Sequence, residues 1–439
     1  MAVIESRHWG GTCVNLGCVP KKMMVMASEY GGHAIDGRGF GWKGVEPGRH
    51  DWGALIRAKD AEIARLNGVY TRMLGAAGVT SFTAHARFAG PHELVLEPGP
   101  LDEGFAPRRI TAERVVIATG SRAVVQPHIA GWEHSIVSDQ AFHLPDRPRR
   151  VTMVGSGYIG IEFAGIFAGL GSEVRIVARQ DLPLRGFDHD LRTELCGAIA
   201  ARGIEWHGNA TVHRIAPNGG ADGLRVTLGD GREWDTDCVF MAVGRRPNVD
   251  GLGLENTRVG SEENGRVVVD AGSETSEPGV YAIGDVTNRQ NLTPVAIAEG
   301  HNLADRLFGS GSAREWSLDT VPKAVFFTPP LGSVGLTEDE AEARPNGADV
   351  YLTRFRPMRH TLSGRNRHTL MKLIVDRKDD RVLGAHMLGE DAPEIMQGLA
   401  VAVTAGLTKA VLDRTVGIHP TAAEEFVTLR VPTRRAGEA

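Results

Sequence analysis

Two thiols, Cys13 and Cys18, lie in the segment Gly10-Gly11-Thr12-Cys13-Val14-Asn15-Leu16-Gly17-Cys18-Val19-Pro20-Lys21-Lys22. Their separation closes a small disulfide ring if the chain between them bends, and Gly17 helps that bend. The glycines ahead of Cys13 let the backbone approach a planar ligand closely. Lys21 and Lys22 bring positive charge, which lowers a thiol pKa and favours the reactive thiolate. Such a pair points to redox or metal chemistry. Structural zinc takes four ligands in paired spacing, and no second Cys/His pair stands nearby, so no metal ligand is assigned.

A second chemical group closes the chain: His419-Pro420-Thr421-Ala422-Ala423-Glu424. A histidine titrating near neutrality, followed by a carboxylate that can orient it, suits acid–base catalysis. The His-Pro bond is of the kind that can be cis, which would aim the imidazole. A third group is the glycine loop Gly155-Ser156-Gly157-Tyr158-Ile159-Gly160, set between a strand at 150–154 and a helix at 161–170. In that setting the glycines bring backbone N–H groups to a pyrophosphate at a helix N-terminus. The following strand, 173–177, ends in Ala178-Arg179 rather than in an acid. Arg179 and Arg185 offer guanidinium groups to a 2′-phosphate, which favours NADPH over NADH.

These groups need a scaffold of matching size. The chain has 439 residues with 42% hydrophobic and 23% charged content, ordinary for a globular protein of about two to four domains. The 55 glycines are spread along the chain, which fits tight turns and phosphate-approach loops rather than a flexible linker. A formal net charge of −5 without long single-sign runs gives no reason to expect a nucleic-acid or membrane-surface partner. No apolar run approaches the roughly 20 residues of a membrane helix. The opening MAVIESRHWGG lacks the pattern of a secretory signal. Four cysteines, Cys13, Cys18, Cys196 and Cys238, are too few for a disulfide scaffold, which makes a reducing cytoplasm the expected setting.

Residues 2–5 read as the end of a buried strand closed by Glu5, an acid of the kind that binds a ribose hydroxyl in a dinucleotide-binding unit. The first strand, glycine loop and first helix of that unit do not precede it in this sequence. Apolar residues at helical spacing predict a helix over 51–77, and short strands follow from 80 to 117. The strand 114–117 runs into Ala118-Thr119-Gly120. Further strands at 238–243 and 280–283 stop at Gly244 and at Gly284-Asp285. The last part mixes strands at 370–375 and 382–388 with a helix around 392–405.

Taken together, the dithiol segment, the glycine loop, Gly284-Asp285 and the His419 segment resemble the class I flavin disulfide reductases, the pyridine nucleotide-disulfide oxidoreductase family, over residues 5–430. The Val-Pro-Lys-Lys ending is similar to members acting on glutathione or trypanothione disulfide. The resemblance implies an α/β fold with two Rossmann-like nucleotide-binding domains, the first without its opening strand and glycine loop, and a C-terminal α+β dimerisation domain. The implied division is 1–118 (FAD), 119–247 (NADPH), 248–318 (central, completing the FAD site) and 319–439 (dimerisation). FAD contacts are implied at Glu5, Gly11, Thr12, Cys13, Lys21, Ala86, Thr119, Gly120, Ser138, Asp285, Thr293 and His419. NADPH contacts are implied at Gly155, Gly157, Tyr158, Ile159, Glu162, Arg179, Arg185 and Gly244. Gln180 stands where a third basic contact is common.

In this pattern Lys21 pairs with Glu162 beside the flavin. Cys18 holds the charge-transfer thiolate, and Cys13 is the interchange thiol that attacks glutathione disulfide. His419, oriented by Glu424, serves the active site of the other subunit of a homodimer. Tyr70 lies against the glutathione site, and His301 replaces an Arg contact of some relatives. Two alternatives stay open: a related reductase with another disulfide substrate, and an inactive fragment unable to hold FAD.

Overall fold

Strands buried on both faces read as near-continuous apolar runs, and Arg150–Val154 (RVTMV) is such a strand, buried along nearly its whole length. In the computed structural model, which describes residues 1–219, 223–309 and 316–437, it is an inner strand of a parallel sheet. The order is Glu205–His207, Glu173–Val177, Arg150–Val154, Cys238–Met241. The helix Tyr158–Gly169 follows the first of these in sequence and is buried over most of its length. Small residues make that possible: a Cβ at Gly165 would lie 2.9 Å from the Phe327 ring. This is the strand–loop–helix–strand arrangement the sequence implies.

The chain divides into two compact units. One comprises Met1–Lys21, Ala54–Val124 and Gly244–Trp316; the other comprises Lys22–Gly53, Val125–Val243 and Ser317–Ala439. In the first, Ala2–Glu5 pairs in parallel with Thr80–Thr83, and Val115–Ile117 in parallel with Val280–Ala282. An antiparallel sheet of His85–Gly90, Glu93–Glu97 and Arg108–Thr111 covers a core that includes Phe88, Leu96, Val267 and Val286. The opening strand departs from expectation. Its residues are exposed or half-buried rather than buried, because its one ladder among the described residues is with Thr80–Thr83.

The second unit holds the parallel sheet and, among its described residues, an antiparallel sheet of six strands. The order is Lys323–Val325, Leu331–Gly335, Val382–Leu388, Thr369–Asp376, Ala348–Phe355, Arg434–Ala436. The helix Ala392–Thr404 covers one face through Met396, Ala400 and Val403, against Met371, Leu373 and Met387.

Thr369–Asp376 is buried throughout, yet carries Lys372 at its centre. Burying an ammonium is costly unless it is paired. Its Nζ donates to Asp188 Oδ1 and Oδ2 at 2.8 Å, Asp190 Oδ2 at 2.7 Å and Glu338 Oε2 at 2.5 Å. Arg434 pairs with Asp190 and Glu338 from the edge strand. Burial alone would raise the Asp190 and Glu338 pKa values. The hydrogen-bonded Lys372 and Arg434 outweigh it and hold both below their ordinary values of 3.8 and 4.5.

Carboxylates depressed in this way contribute stability that is complete above about pH 4.5 and is lost as pH falls through their folded values. Lys372→Met leaves the buried Asp188 without its cation. It is expected to destabilise the fold by about 3–5 kcal/mol near neutral pH, a deficit that shrinks as pH falls and the carboxylates protonate. Denaturant titrations between pH 3 and 7 check both.

Candidate active site

The dithiol is built by a broken helix. Gly10 and Gly11 take φ of 98° and 66°, a region that disfavours side chains, and open the helix Gly11–Leu16. Gly17 ends it, where a Cβ would lie 2.8 Å from the Thr12 carbonyl oxygen. Cys18 then starts the helix Cys18–Gly37. Buried Asn15 secures the turn by donating from Nδ2 to the carbonyls of Gly11 (2.9 Å) and Trp9 (3.2 Å). The break brings the two sulfurs into hydrogen-bond contact. Cys18 Sγ is 3.6 Å from Thr293 Oγ1, the first residue of the helix Thr293–Phe308.

The electrostatics differ from the sequence expectation of a thiol pKa lowered by lysine. The Cys18 sulfur, followed by burial, holds the Cys13 pKa above its ordinary value, while the Thr293 hydroxyl acts in the lowering direction. Lys22 Nζ lies over the Phe326 ring, 4.1 Å from its centroid. The partner sulfur and burial, rather than a nearby lysine, therefore set the direction of the Cys13 shift.

Asp285 belongs to the same unit. It follows Gly284, whose φ of 72° turns the chain after the strand Val280–Ala282. Ser121 Oγ donates to Asp285 Oδ2 at 2.6 Å, and Arg245 donates to Ser121 Oγ (Nε, 2.7 Å) and to its carbonyl (Nη2, 2.6 Å). The expected Thr119–Gly120 contact segment is fixed by Asn248, which accepts from Thr119 Oγ1 at 2.7 Å and donates to the Gly120 carbonyl at 2.9 Å. Glu5 Oε1 accepts the N–H groups of Arg7 (2.6 Å) and His8 (3.1 Å). Gly11, Thr12, Lys21 and Ala86 also lie in this unit, so carboxylate acceptors, positive-φ glycines and the dithiol occur together. Those residue types suit a ribityl chain, a ribose and a planar ring system.

Tyr70 is 40% exposed on the helix Trp52–Ala76, a few residues beyond a bidentate Arg65–Glu62 pair. His301 is exposed on the helix Thr293–Phe308.

The remaining predicted residues, Gly244 excepted, fall in the second unit. At Gly155, φ is 110° and a Cβ would lie 2.3 Å from the Ala242 carbonyl oxygen, so the loop can be built only with glycine. Gly157 caps the helix Tyr158–Gly169, leaving the Tyr158 and Ile159 N–H groups at its N-terminus. Arg179 and Arg185 are exposed, and neither makes a salt bridge among the described residues. A glycine cradle at a helix N-terminus with two available guanidiniums fits a phosphorylated dinucleotide. Glu162 is buried, and its Oε1 accepts the Phe326 N–H at 2.8 Å. Ser138 is buried, with Asp139 as its side-chain partner. Gly244 lies in the first unit, with φ of 128°.

His419 Nδ1 lies 3.0 and 3.2 Å from the Glu424 carboxylate oxygens, and its peptide bond to Pro420 is cis. The imidazole is 82% exposed while Glu424 is mostly covered. Val416 and Ile418 beside it are also exposed.

Sequence reasoning did not single out Asn15, Ser121 or Arg245. Asn15 carried a signal, a polar residue between apolar neighbours in a short helix. Ser121 carried none, since its partner lies 164 positions away.

Family models match along most of the chain: "Pyridine nucleotide-disulphide oxidoreductase" over residues 1–300 and its dimerisation domain over residues 321–430. A glutathione reductase of Burkholderia cepacia is 47% identical over 98% of this chain and 93% of its own length. A trypanothione reductase of Trypanosoma congolense is 39% identical over 97% of this chain and 87% of its own. Among solved structures, the HOCl-induced flavoprotein disulfide reductase RclA of Escherichia coli, as its Cu(II) complex, matches with a TM-score of 0.84 and 28% identity. That match covers 98% of this chain and 92% of that one. The chain belongs to the pyridine nucleotide-disulfide oxidoreductase family.

Proposed function

We propose that the chain is an NADPH-dependent glutathione-disulfide reductase that uses FAD. The observation that carries this reading is the Cys13–Cys18 pair, held in contact by the break at Gly17 and set against Thr293. Relatives named glutathione reductase, 37–47% identical over nearly the whole chain, support the substrate. FAD, when bound, supplies the two-electron link between NADPH and the disulfide.

The chain's own residues do the thiol chemistry. The Cys13 thiolate attacks one sulfur of glutathione disulfide, giving a Cys13–glutathione mixed disulfide and one glutathione thiolate. His419 of the partner subunit, oriented through Nδ1 by Glu424, protonates that thiolate from Nε2. Cys18 then attacks the Cys13 sulfur, restoring the Cys13–Cys18 disulfide and releasing the second glutathione. Glu5, Thr119, Gly120 and Asp285 would hold FAD, with the Lys21 ammonium as a charge that would tune its ring. The Gly155–Gly160 loop holds the NADPH pyrophosphate, and Arg179 and Arg185 hold its 2′-phosphate. A homodimer supplies His419 to each site, which accounts for an imidazole so open in one chain. The four cysteines and the chemistry suit a reducing cytoplasm.

The test is NADPH oxidation by the purified protein with glutathione disulfide, compared with trypanothione disulfide, lipoamide and oxidised thioredoxin. Preference for glutathione disulfide is expected; equal or better turnover of another disulfide overturns the substrate assignment. Arg179→Ala and Arg185→Ala are each expected to raise KM for NADPH by about tenfold or more, from the loss of a charge-assisted hydrogen bond. KM for NADH should barely change, which initial rates with both coenzymes measure.

A further inference from the structure

We propose that Glu299 is a positioning residue that ties the Asp285 turn to the helix presenting Thr293 to the dithiol. Glu299 is 5% exposed, on the helix Thr293–Phe308. Its Oε2 accepts the Gly284 backbone N–H at 2.6 Å, and its Oε1 pairs with Arg289 at 2.9 Å. Arg289 in turn donates from Nη2 to Ser273 Oγ at 3.0 Å. The same helix packs under the turn, where a Cβ at Gly284 would lie 3.1 Å from the Ala296 Cβ.

A carboxylate this buried persists only when its partners are fixed. Glu299 has two: a backbone N–H of the turn and a guanidinium anchored elsewhere. The turn is thus held twice, through Gly284 by Glu299 and through the Asp285 carboxylate by Ser121. Thr293, at the start of the helix that carries Glu299, stands 3.6 Å from the Cys18 sulfur. One side chain therefore sets the direction of a flavin-binding carboxylate relative to the thiol pair that exchanges electrons with that flavin. The inference rests on the reading of Asp285 as an FAD ligand.

Three variants test it by reconstitution of FAD-stripped protein, with flavin fluorescence giving Kd. Glu299→Ala leaves the buried Gly284 N–H without its acceptor and should raise Kd for FAD by about ten- to a hundredfold. Glu299→Gln keeps an acceptor oxygen and should stay within a few-fold of wild type. Glu299→Asp withdraws the carboxylate by one methylene and should weaken FAD even if the alanine variant does not fold. A second readout is the Tm of loaded protein minus that of stripped protein. A merely structural residue lowers both Tm values alike, whereas a positioning residue shrinks their difference.

Wild-type Kd and an unchanged Tm difference in the alanine and aspartate variants would overturn the proposal. Wild-type protein that itself fails to take up FAD would count against the flavoenzyme reading instead, so the two failures are distinct.

Discussion

Serine at Cys13 or at Cys18 is expected to lower glutathione-disulfide-dependent NADPH oxidation by at least about a thousandfold. Thiol–disulfide exchange needs a thiolate nucleophile, and a serine hydroxyl neither ionises near neutrality nor closes the ring that completes the cycle. The two variants should differ in what accumulates. Cys18→Ser lacks the resolving sulfur, so a glutathione adduct should build up on Cys13 and be seen as a mass increase on its peptide. Cys13→Ser should form no adduct. The remaining cysteines give the contrast. Cys238 sits buried in the strand Cys238–Met241, where burial pushes its pKa up to about 12, and burial also raises that of Cys196. Serine at either should leave turnover within a few-fold of wild type. A steady-state assay of the four variants decides this, and a Cys13→Ser enzyme at near-normal rate would remove the interchange thiol from the mechanism.

His419→Gln is expected to lower kcat by about 10²- to 10⁴-fold, the usual range for loss of a positioned acid–base group. Glu424→Gln, which weakens the hold on Nδ1 but leaves the ring, should cost less. The shared-site reading makes a stronger forecast. In a homodimer with an isologous interface, a Cys13→Ser chain paired with a His419→Gln chain has one complete site: Cys13 and Cys18 from the second chain, His419 from the first. Two inactive proteins, mixed under conditions that exchange subunits, should recover about a quarter of wild-type activity if half the dimers are mixed and each has one of two sites. A mixture that stays inactive, with heterodimers demonstrated by mass, would mean that His419 serves its own chain or none.

What could be read from the sequence was what local chemistry dictates. The strands Glu173–Val177 and Val382–Leu388 and the helix Trp52–Ala76 follow from apolar periodicity. The Gly155 loop was legible because its glycine is forced by a carbonyl in van der Waals conflict with any Cβ. The dithiol was legible because Gly17 sits where only glycine fits, and the His419–Glu424 couple because its members are neighbours in sequence.

What was hidden depends on residues remote in the chain. Lys372 meets Asp188 and Asp190 across more than 180 positions, and Ser121 meets Asp285 across 164. The direction of the Cys13 shift is hidden for a related reason. Lys21 and Lys22 are neighbours of Cys13 in sequence, but the partner sulfur and burial, which only folding supplies, set the direction. The opening strand looked buried from its apolar residues, but burial depends on which strands flank it, and the ladder with Thr80–Thr83 leaves it half-exposed.

The most direct test of the proposed electron path is to ask which sulfurs NADPH reduces. The air-oxidised protein, loaded with FAD, is treated anaerobically with NADPH, alkylated, digested and mapped by mass spectrometry. NADPH-dependent labelling confined to Cys13 and Cys18, and reversed by prior addition of glutathione disulfide, is the expected result. Labelling of Cys13 and Cys18 that is independent of NADPH, or that glutathione disulfide does not reverse, would contradict it.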